Sequence, residues 1–406
     1  RLGLVSSMPG LRQAACGLLC LLLACNPAAA QTAQETRPPP QVEFETGLRL
    51  LLDAQYAPAA QLFEQLYART RSERVRLEWA RAAYLMHDYE TARQLFNAVL
   101  ASNPPAPVRE KILFFLDDIA LAEGRIDYAF SLTQDSNPRA IPSVRNFNIF
   151  GLPFQYQPGV DTSPKWGINY RLAYHQGLDE GRRWIASGGF SGTYFADPVF
   201  NRSGWDTSLT YRAAFIPRLE FKASYESMDL GPDPQYRYTG LSATLGHELL
   251  PWRVQQEWRH GGIQYPLMDY QNSLLSSYRI QLERMLSAAA SAGVELGVDR
   301  GTAVEAPYSY QGNSYGVLGG YFFAAIETRV TLRWNQAYRT NAADDPVFGI
   351  KREDQRRTLS LSFDSPALRW ASMRPMLELG YEKNTSTLPL ANYDRTLFSI
   401  TLHKAL

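Results

Sequence analysis

Cysteine is nearly absent: the 406-residue chain has three, Cys16, Cys20 and Cys25, all inside one short N-terminal apolar stretch. Beyond that stretch no disulfide, thiol nucleophile or thiolate metal site can be built. Long apolar runs are missing as well. The only compact one, Ala14 to Cys25, is shorter than the ~20 residues a membrane-crossing helix needs, which excludes a polytopic helical membrane protein. Charge of one sign is not in excess, with 41 Lys+Arg against 40 Asp+Glu, so the basic face of a nucleic-acid binder is not expected and no nucleic-acid partner is called for. Histidine is scarce. His87, His175, His247, His260 and His403 stand in no recognisable catalytic motif, and no two have metal-ligand spacing. No enzyme is therefore expected, and no metal or other cofactor.

What is present falls into three stretches of different make. Read from Met8, a short basic segment with Arg12, the apolar Ala14 to Cys25 and the small-residue site Ala28-Ala29-Ala30 describe a secretory signal peptide over residues 1–30. Leu22-Leu23-Ala24-Cys25 also reads as a lipobox, in which Cys25 would be lipidated; either way the product leaves the cytoplasm. Residues 31–42, with Pro38-Pro39-Pro40, have no periodicity and read as a flexible leader.

Residues 43–140 have helical periodicity and an internal repeat. The stretch from Gln55 to Leu66 matches that from Asp88 to Val99 at a spacing of 33 residues, with Ala59 and Phe63 recurring as Ala92 and Phe96. Small residues that let paired helices approach, an aromatic between them and a closing Pro104 follow the tetratricopeptide pattern. A degenerate third unit is expected over Val108 to Leu132, with Gly124 at its helix turn and Ala129 and Phe130 in its second helix. Most of these positions are core. Stacked helix pairs also form a concave surface able to take a peptide, and on the repeat template Arg81, Tyr84, Phe114 and Asp118 face that groove.

From residue 145 to 406 the period changes from 3.6 to 2. Trp166, Ile168, Tyr170, Leu172 and Tyr174 alternate with Gly167, Asn169, Arg171, Ala173 and His175; Val330, Leu332 and Trp334 alternate with Thr331, Arg333 and Asn335. About fourteen such segments of ~10 residues, the length of a tilted membrane-spanning strand, begin near residues 147, 165, 183, 204, 217, 237, 252, 273, 288, 312, 328, 356, 374 and 393. Short turns such as Ile216-Pro217 and Leu250-Pro251 alternate with longer polar loops such as Gly301 to Asn313 and Thr340 to Asp354. A soluble β-sandwich would alternate too, but here the polar set carries full charges in strand after strand, as a wet lumen requires. Lipid-exposed sheet edges cannot satisfy their backbone groups, so the sheet must close. The fold class is an α-helical tetratricopeptide-like solenoid followed by an antiparallel transmembrane β-barrel of about fourteen strands. Arg171, Lys222, Arg253, Arg259, Arg279 and Arg333 would face the lumen, offset by Glu220, Glu257, Glu283, Glu378 and Glu382. The last strand, through Phe398, Ile400 and Leu402, ends in Leu406 where an aromatic is commoner.

A signal peptide, tetratricopeptide-like helices and such a barrel together resemble the surface lipoprotein assembly modifier family of Gram-negative outer membranes. Phe96-Asn97-Ala98-Val99-Leu100, Asn103 to Arg109 and Phe114-Phe115-Leu116 are similar to the end of that family's helical domain; Arg374 to Leu377, Tyr381 to Asn384 and Asn392 to Arg395 are similar to its final hairpin. Asn146 to Val160 departs from the family's Asp-Ser-Asn-rich first strand. The resemblance implies delivery of a client lipoprotein or related secreted protein to the cell surface. It places the helical domain in the periplasm and the barrel in outer-membrane lipid, inserted by the barrel-assembly machinery. A polysaccharide exporter, which also joins such repeats to a barrel, is the alternative; an anionic polymer would favour a lumen lined mainly by Arg and Lys.

Overall fold

The computed structural model describes residues 39–213, 218–249, 251–365, 368 and 373–404; the expected signal peptide, the Ile216-Pro217 turn, Leu250 and Leu406 lie outside them. Among the described residues five helices come first: α1 Pro40–Leu52, α2 Tyr56–Thr70, α3 Glu73–Leu85, α4 Tyr89–Ala101 and α5 Ala106–Glu123. The first begins inside the expected leader, because Pro40 occupies the opening helical position, where its missing N–H costs nothing. The repeat read from the sequence is the packing unit. Ala59, Phe63 and Leu66 of α2 and Ala92, Phe96 and Val99 of α4 are the equivalent buried triplets, and each centres one of the two helical cores.

The chain then leaves the repeat pattern. Gly124, at φ +94°, ends α5, and residues Arg125–Asp135 form a strand, β1, instead of the expected second helix of a third unit. Ile126, Tyr128, Phe130 and Leu132 point one way and Asp127, Ser131 and Thr133 the other, the alternation of a strand between lipid and lumen. β1 runs out into Asp135-Ser136-Asn137, the composition that Asn146 to Val160 lacks. That later segment is not a barrel strand: β2 Asn146–Ile149 and β3 Leu152–Gln155 form a separate hairpin.

Thirteen further strands complete the wall: β4 Lys165–Gly177, β5 Trp184–Phe195, β6 Arg202–Arg212, β7 Leu219–Leu230, β8 Asp233–Leu249, β9 Trp252–Gln264, β10 Ser273–Met285, β11 Ala290–Ala303, β12 Tyr310–Phe323, β13 Thr328–Asp344, β14 Lys351–Asp364, β15 Met373–Ser386 and β16 Tyr393–Lys404. With β1 they close one antiparallel barrel of fourteen strands. β1 pairs with β4 along its whole length but with β16 only over Ala129–Asp135. At about 3.4 Å per residue and a tilt of about 40°, a strand the length of β5 rises roughly 30 Å, enough to cross an apolar band of about 25 Å.

Large apolar side chains stand outward in the wall: Ile168, Leu172, Phe190, Trp205, Leu241, Val294, Leu296, Val317, Leu332, Leu359 and Ile400 are all exposed. In water such a surface would be untenable; in lipid it is required. No helix among the described residues is long and apolar enough to cross a membrane.

The helical layer and the β4–β5 turn lie at one end of the barrel. At the far end the connection from β1 to β4 carries the β2–β3 hairpin, whose Phe147 packs against Phe154 at 6.2 Å and Phe348 of the β13–β14 connection at 5.9 Å. The other far-end connections are shorter than expected, since β11 to β14 continue pairing into the segments read as loops, Gly301 to Asn313 and Thr340 to Asp354.

Candidate functional site

Two assemblies of polar side chains stand out, one lining the lumen and one joining the helices to the barrel. In the lumen, the alternation of each strand turns its charged set inward, and the register stacks those sets into a ladder around the wall. Glu295 receives Arg279 Nε at 3.2 Å and Arg333 Nη1 at 3.8 Å; Arg279 Nη1 also lies 3.7 Å from Glu257. Arg253 reaches Glu248 at 3.3 Å and Glu283 at 3.6 Å, Arg259 reaches Glu226 at 3.4 Å, and Arg339 reaches Asp299 at 3.6 Å. Toward the last strands Tyr393 donates to Glu382 at 2.6 Å, beside Arg395 at 3.4 Å. A cavity of about 540 Å³ runs along this wall, bounded by Arg259, Arg279, Arg333, Arg339, Arg352 and Arg356 but only by Glu257, Glu295, Asp299 and Asp354 as carboxylates. The carboxylates lie against the wall while the guanidiniums reach into the water: Glu295 is 13% exposed and Arg279 58%. The lumen surface therefore presents cations first.

Arg253, Glu257, Arg259, Arg279, Glu283 and Arg333, expected in the lumen, are brought together there; Arg171 shares the inward face of β4 but stands apart from the cavity. Glu295, Asp299, Arg339, Asp354 and Arg356 were not singled out, although each falls on the polar side of an alternating segment. At the helical end His175 bridges Ser187 Oγ at 2.8 Å and Asp127 Oδ2 at 3.2 Å, and Asp127 also holds Arg125 at 3.1 Å. Ser187 sits in mid-ladder, paired on both sides. The row therefore links β1, β4 and β5 across the inner face of the wall.

The second assembly joins helices to barrel. Arg182, in the turn between β4 and β5, inserts among three helices and pairs with Asp118 of α5; their side chains are only 7% and 11% exposed. Tyr84 of α3 donates to Asp118 Oδ2 at 2.6 Å and accepts from Arg182 Nη2 at 3.1 Å, while Tyr89 of α4 accepts from Arg182 Nη1 at 3.2 Å. Burial and the hydrogen bond to Asp118 push the Tyr84 hydroxyl up to about 12. Burial alone would lower the Arg182 guanidinium, but the bonds to Asp118 and Tyr84 more than reverse it. Gln176 Nε2 caps the end of α5 at the Ala122 carbonyl, 3.1 Å away, and Arg125 ties β1 back to Asp117.

Of the four groove residues expected from the repeat template, then, Tyr84 and Asp118 come together, but on Arg182 and not on an open surface. Arg81 lies on the helix surface beside Glu78 at 3.4 Å, and Phe114 is 63% exposed. Arg182 itself carries no sequence signal; its role depends on a turn folding back onto helices that precede it.

A closed barrel with an apolar outer belt, a charged lumen and helices fastened to one mouth is an outer-membrane β-barrel protein. Residues 225–406 match the family described as "Surface lipoprotein assembly modifier". A protein of that name from Pasteurella multocida (strain Pm70) is 21% identical over 379 residues, spanning 85% of this chain and 72% of the relative. The resemblance read from the residues is thus matched by the family model over the later strands of the barrel and by a distant relative over most of the chain. Among solved structures, OmpT of Vibrio cholerae is 10% identical with a TM-score of 0.37, covering 69% of this chain and 97% of its own. A bacterial polysaccharide outer membrane secretin is 11% identical with a TM-score of 0.38, covering 68% and 98%.

Proposed function

We propose that the protein delivers a client surface lipoprotein, or a related secreted protein, to the cell surface. The observation that carries this reading is the Arg182 clamp: a repeat-built helical layer is fastened beneath a water-filled, guanidinium-lined lumen instead of hanging free. In this reading the helices lie in the periplasm and receive the client on their remaining open surface, including Phe114 and Arg81. The barrel then supplies a route through the lumen or along the short β1–β16 junction. Such work needs a groove, a polar path and outer-membrane lipid, with the barrel-assembly machinery to insert the wall, and no reaction centre. Deleting the gene should remove a specific lipoprotein from the protease-accessible surface while its total amount persists; unchanged display of every surface lipoprotein refutes the reading. The projecting arginines favour one second reading, export of an anionic polysaccharide, which predicts loss of surface polymer and unaltered lipoprotein display on the same deletion.

A further inference from the structure

We propose that the outside of the barrel binds lipid phosphate through a collar of cations, Arg237, Arg300, Arg357 and Lys383, at the end away from the helices. The inward and outward sets of each strand are settled by the exposed apolar positions. On β8 Arg237 shares the outward face with Leu241, on β11 Arg300 with Leu296 and Val298, on β14 Arg357 with Leu359, and on β15 Lys383 with Leu379 and Tyr381. Each cation stands two to four residues beyond the last outward apolar side chain of its strand, at the height where hydrocarbon gives way to headgroups. At the other end of the belt Arg284 lies over the Trp252 ring at 5.3 Å.

Most of the lumen's arginines are held by carboxylates, Arg171 and Arg356 being exceptions, whereas none of the collar's cations is, and this points to a missing anion. Arg339, Arg352 and Arg395, inside the wall on β13, β14 and β16, are each held by a carboxylate. The four outward cations form no ion pair among the described residues. Arg357 and Lys383 are moreover direct register partners on the same face, and like charges directly opposite each other weaken a sheet unless something neutralises them. Two outward carboxylates lie close by, Glu353 farther along β14 and Asp394 opposite Lys383, neither within ion-pair distance of the two. Beside Arg357 the Tyr338 hydroxyl accepts from Gln336 and, at 3.3 Å, from Gln355, a polar bed suited to a headgroup and not to acyl chains. An anion at this height, between a guanidinium and an ammonium, has the chemistry of a phosphate monoester on a membrane lipid. Because the helices are read as periplasmic, a reading on which this step rests, the lipid is a phosphorylated glycolipid of the outer leaflet.

The test uses the full mature protein in detergent, with native mass spectrometry and thermal unfolding as readouts and phosphorylated lipid A as probe. Wild type should retain the lipid and unfold at higher temperature with it, whereas Arg300→Gln/Arg357→Gln/Lys383→Gln should lose at least tenfold in retention. Arg109→Gln, on the helical layer, should match wild type, and Arg357→Gln alone guards against misfolding of the triple variant. Lipid A stripped of its phosphates should bind both proteins equally weakly. Equal retention of phosphorylated lipid A by wild type and variant, wild-type retention of the stripped lipid as strong as that of the phosphorylated one, or displacement by millimolar inorganic phosphate overturns the proposal. The readout is independent of which end faces the periplasm, so a failure of the orientation shows separately, in labelling of engineered cysteines at the cell surface.

Discussion

Replacing Arg182 with Met keeps the long apolar stem that packs between Tyr84 and Tyr89 but removes the charge. The Asp118 carboxylate, 11% exposed, is then left with the Tyr84 hydroxyl alone. Breaking a buried pair in this way costs about 3–5 kcal/mol, chiefly because one charge stays buried without its partner. The two tyrosine bonds to the guanidinium, 3.1 and 3.2 Å long, are already part of that figure. At about 1.4 kcal/mol per tenfold, local opening of the joint should rise roughly two to four orders of magnitude. Amide hydrogen exchange on the protein in nanodiscs reads this directly: α5 and residues 178–183 should exchange faster by that factor, while the centres of β9 to β12 stay protected. Arg182→Met/Asp118→Leu removes both charges together and should recover most of the protection, since a buried pair replaced by apolar groups is often neutral in stability. Exchange in Arg182→Met within about threefold of wild type, or a double variant no better than the single one, would refute the clamp.

Tyr84 gives the joint an alkaline limit. Its hydroxyl is raised in the folded state from an ordinary value near 10 to about 12, so its contribution is complete below pH 10 and is lost as pH rises through about 12; exchange of α3 and α5 should accelerate over that window, and Tyr84→Phe should flatten the response. Gly124→Ala combines φ +94° with a Cβ driven against the Tyr174 ring, and should destabilise the α5–β1 junction by about 1–3 kcal/mol, seen in chemical unfolding of the purified protein. On the lipid face, Leu296→Arg should cost about 2–4 kcal/mol in unfolding from liposomes, whereas Glu257→Gln in the lumen should stay within about 1 kcal/mol.

The helical layer and most of the wall were legible because period decides them. Phe63 and Phe96 recur one repeat apart and are both fully buried, and the start of nearly every strand follows from where apolar and charged residues begin to alternate. β1 was misread for a definite reason. Phe130 falls 34 residues after Phe96, so the helical template could be carried one unit too far, over a segment whose own Ile126, Tyr128, Phe130 and Leu132 alternate as a strand. Phe147 and Phe154 imitate a strand of the wall but pair only with each other's strands, since four residues cannot cross a bilayer. The lumen ladder was half legible, because alternation gives the facing side but not which carboxylate meets which arginine across the register. The clamp was not legible at all: Tyr84 and Asp118 were recognised as facing one way, but the partner they face is a residue from a turn of another domain.

That the wall spans the outer membrane with its helices inside is directly measurable, because no cysteine lies beyond residue 25. Leu267, 63% exposed in the far-end connection after β9, and Leu52, 82% exposed on α1, can each be changed to Cys and treated in intact cells with a membrane-impermeant maleimide. Leu267→Cys should be labelled at once and Leu52→Cys only after the outer membrane is permeabilised. Labelling of Leu52→Cys in intact cells, or protection of Leu267→Cys, would contradict the account.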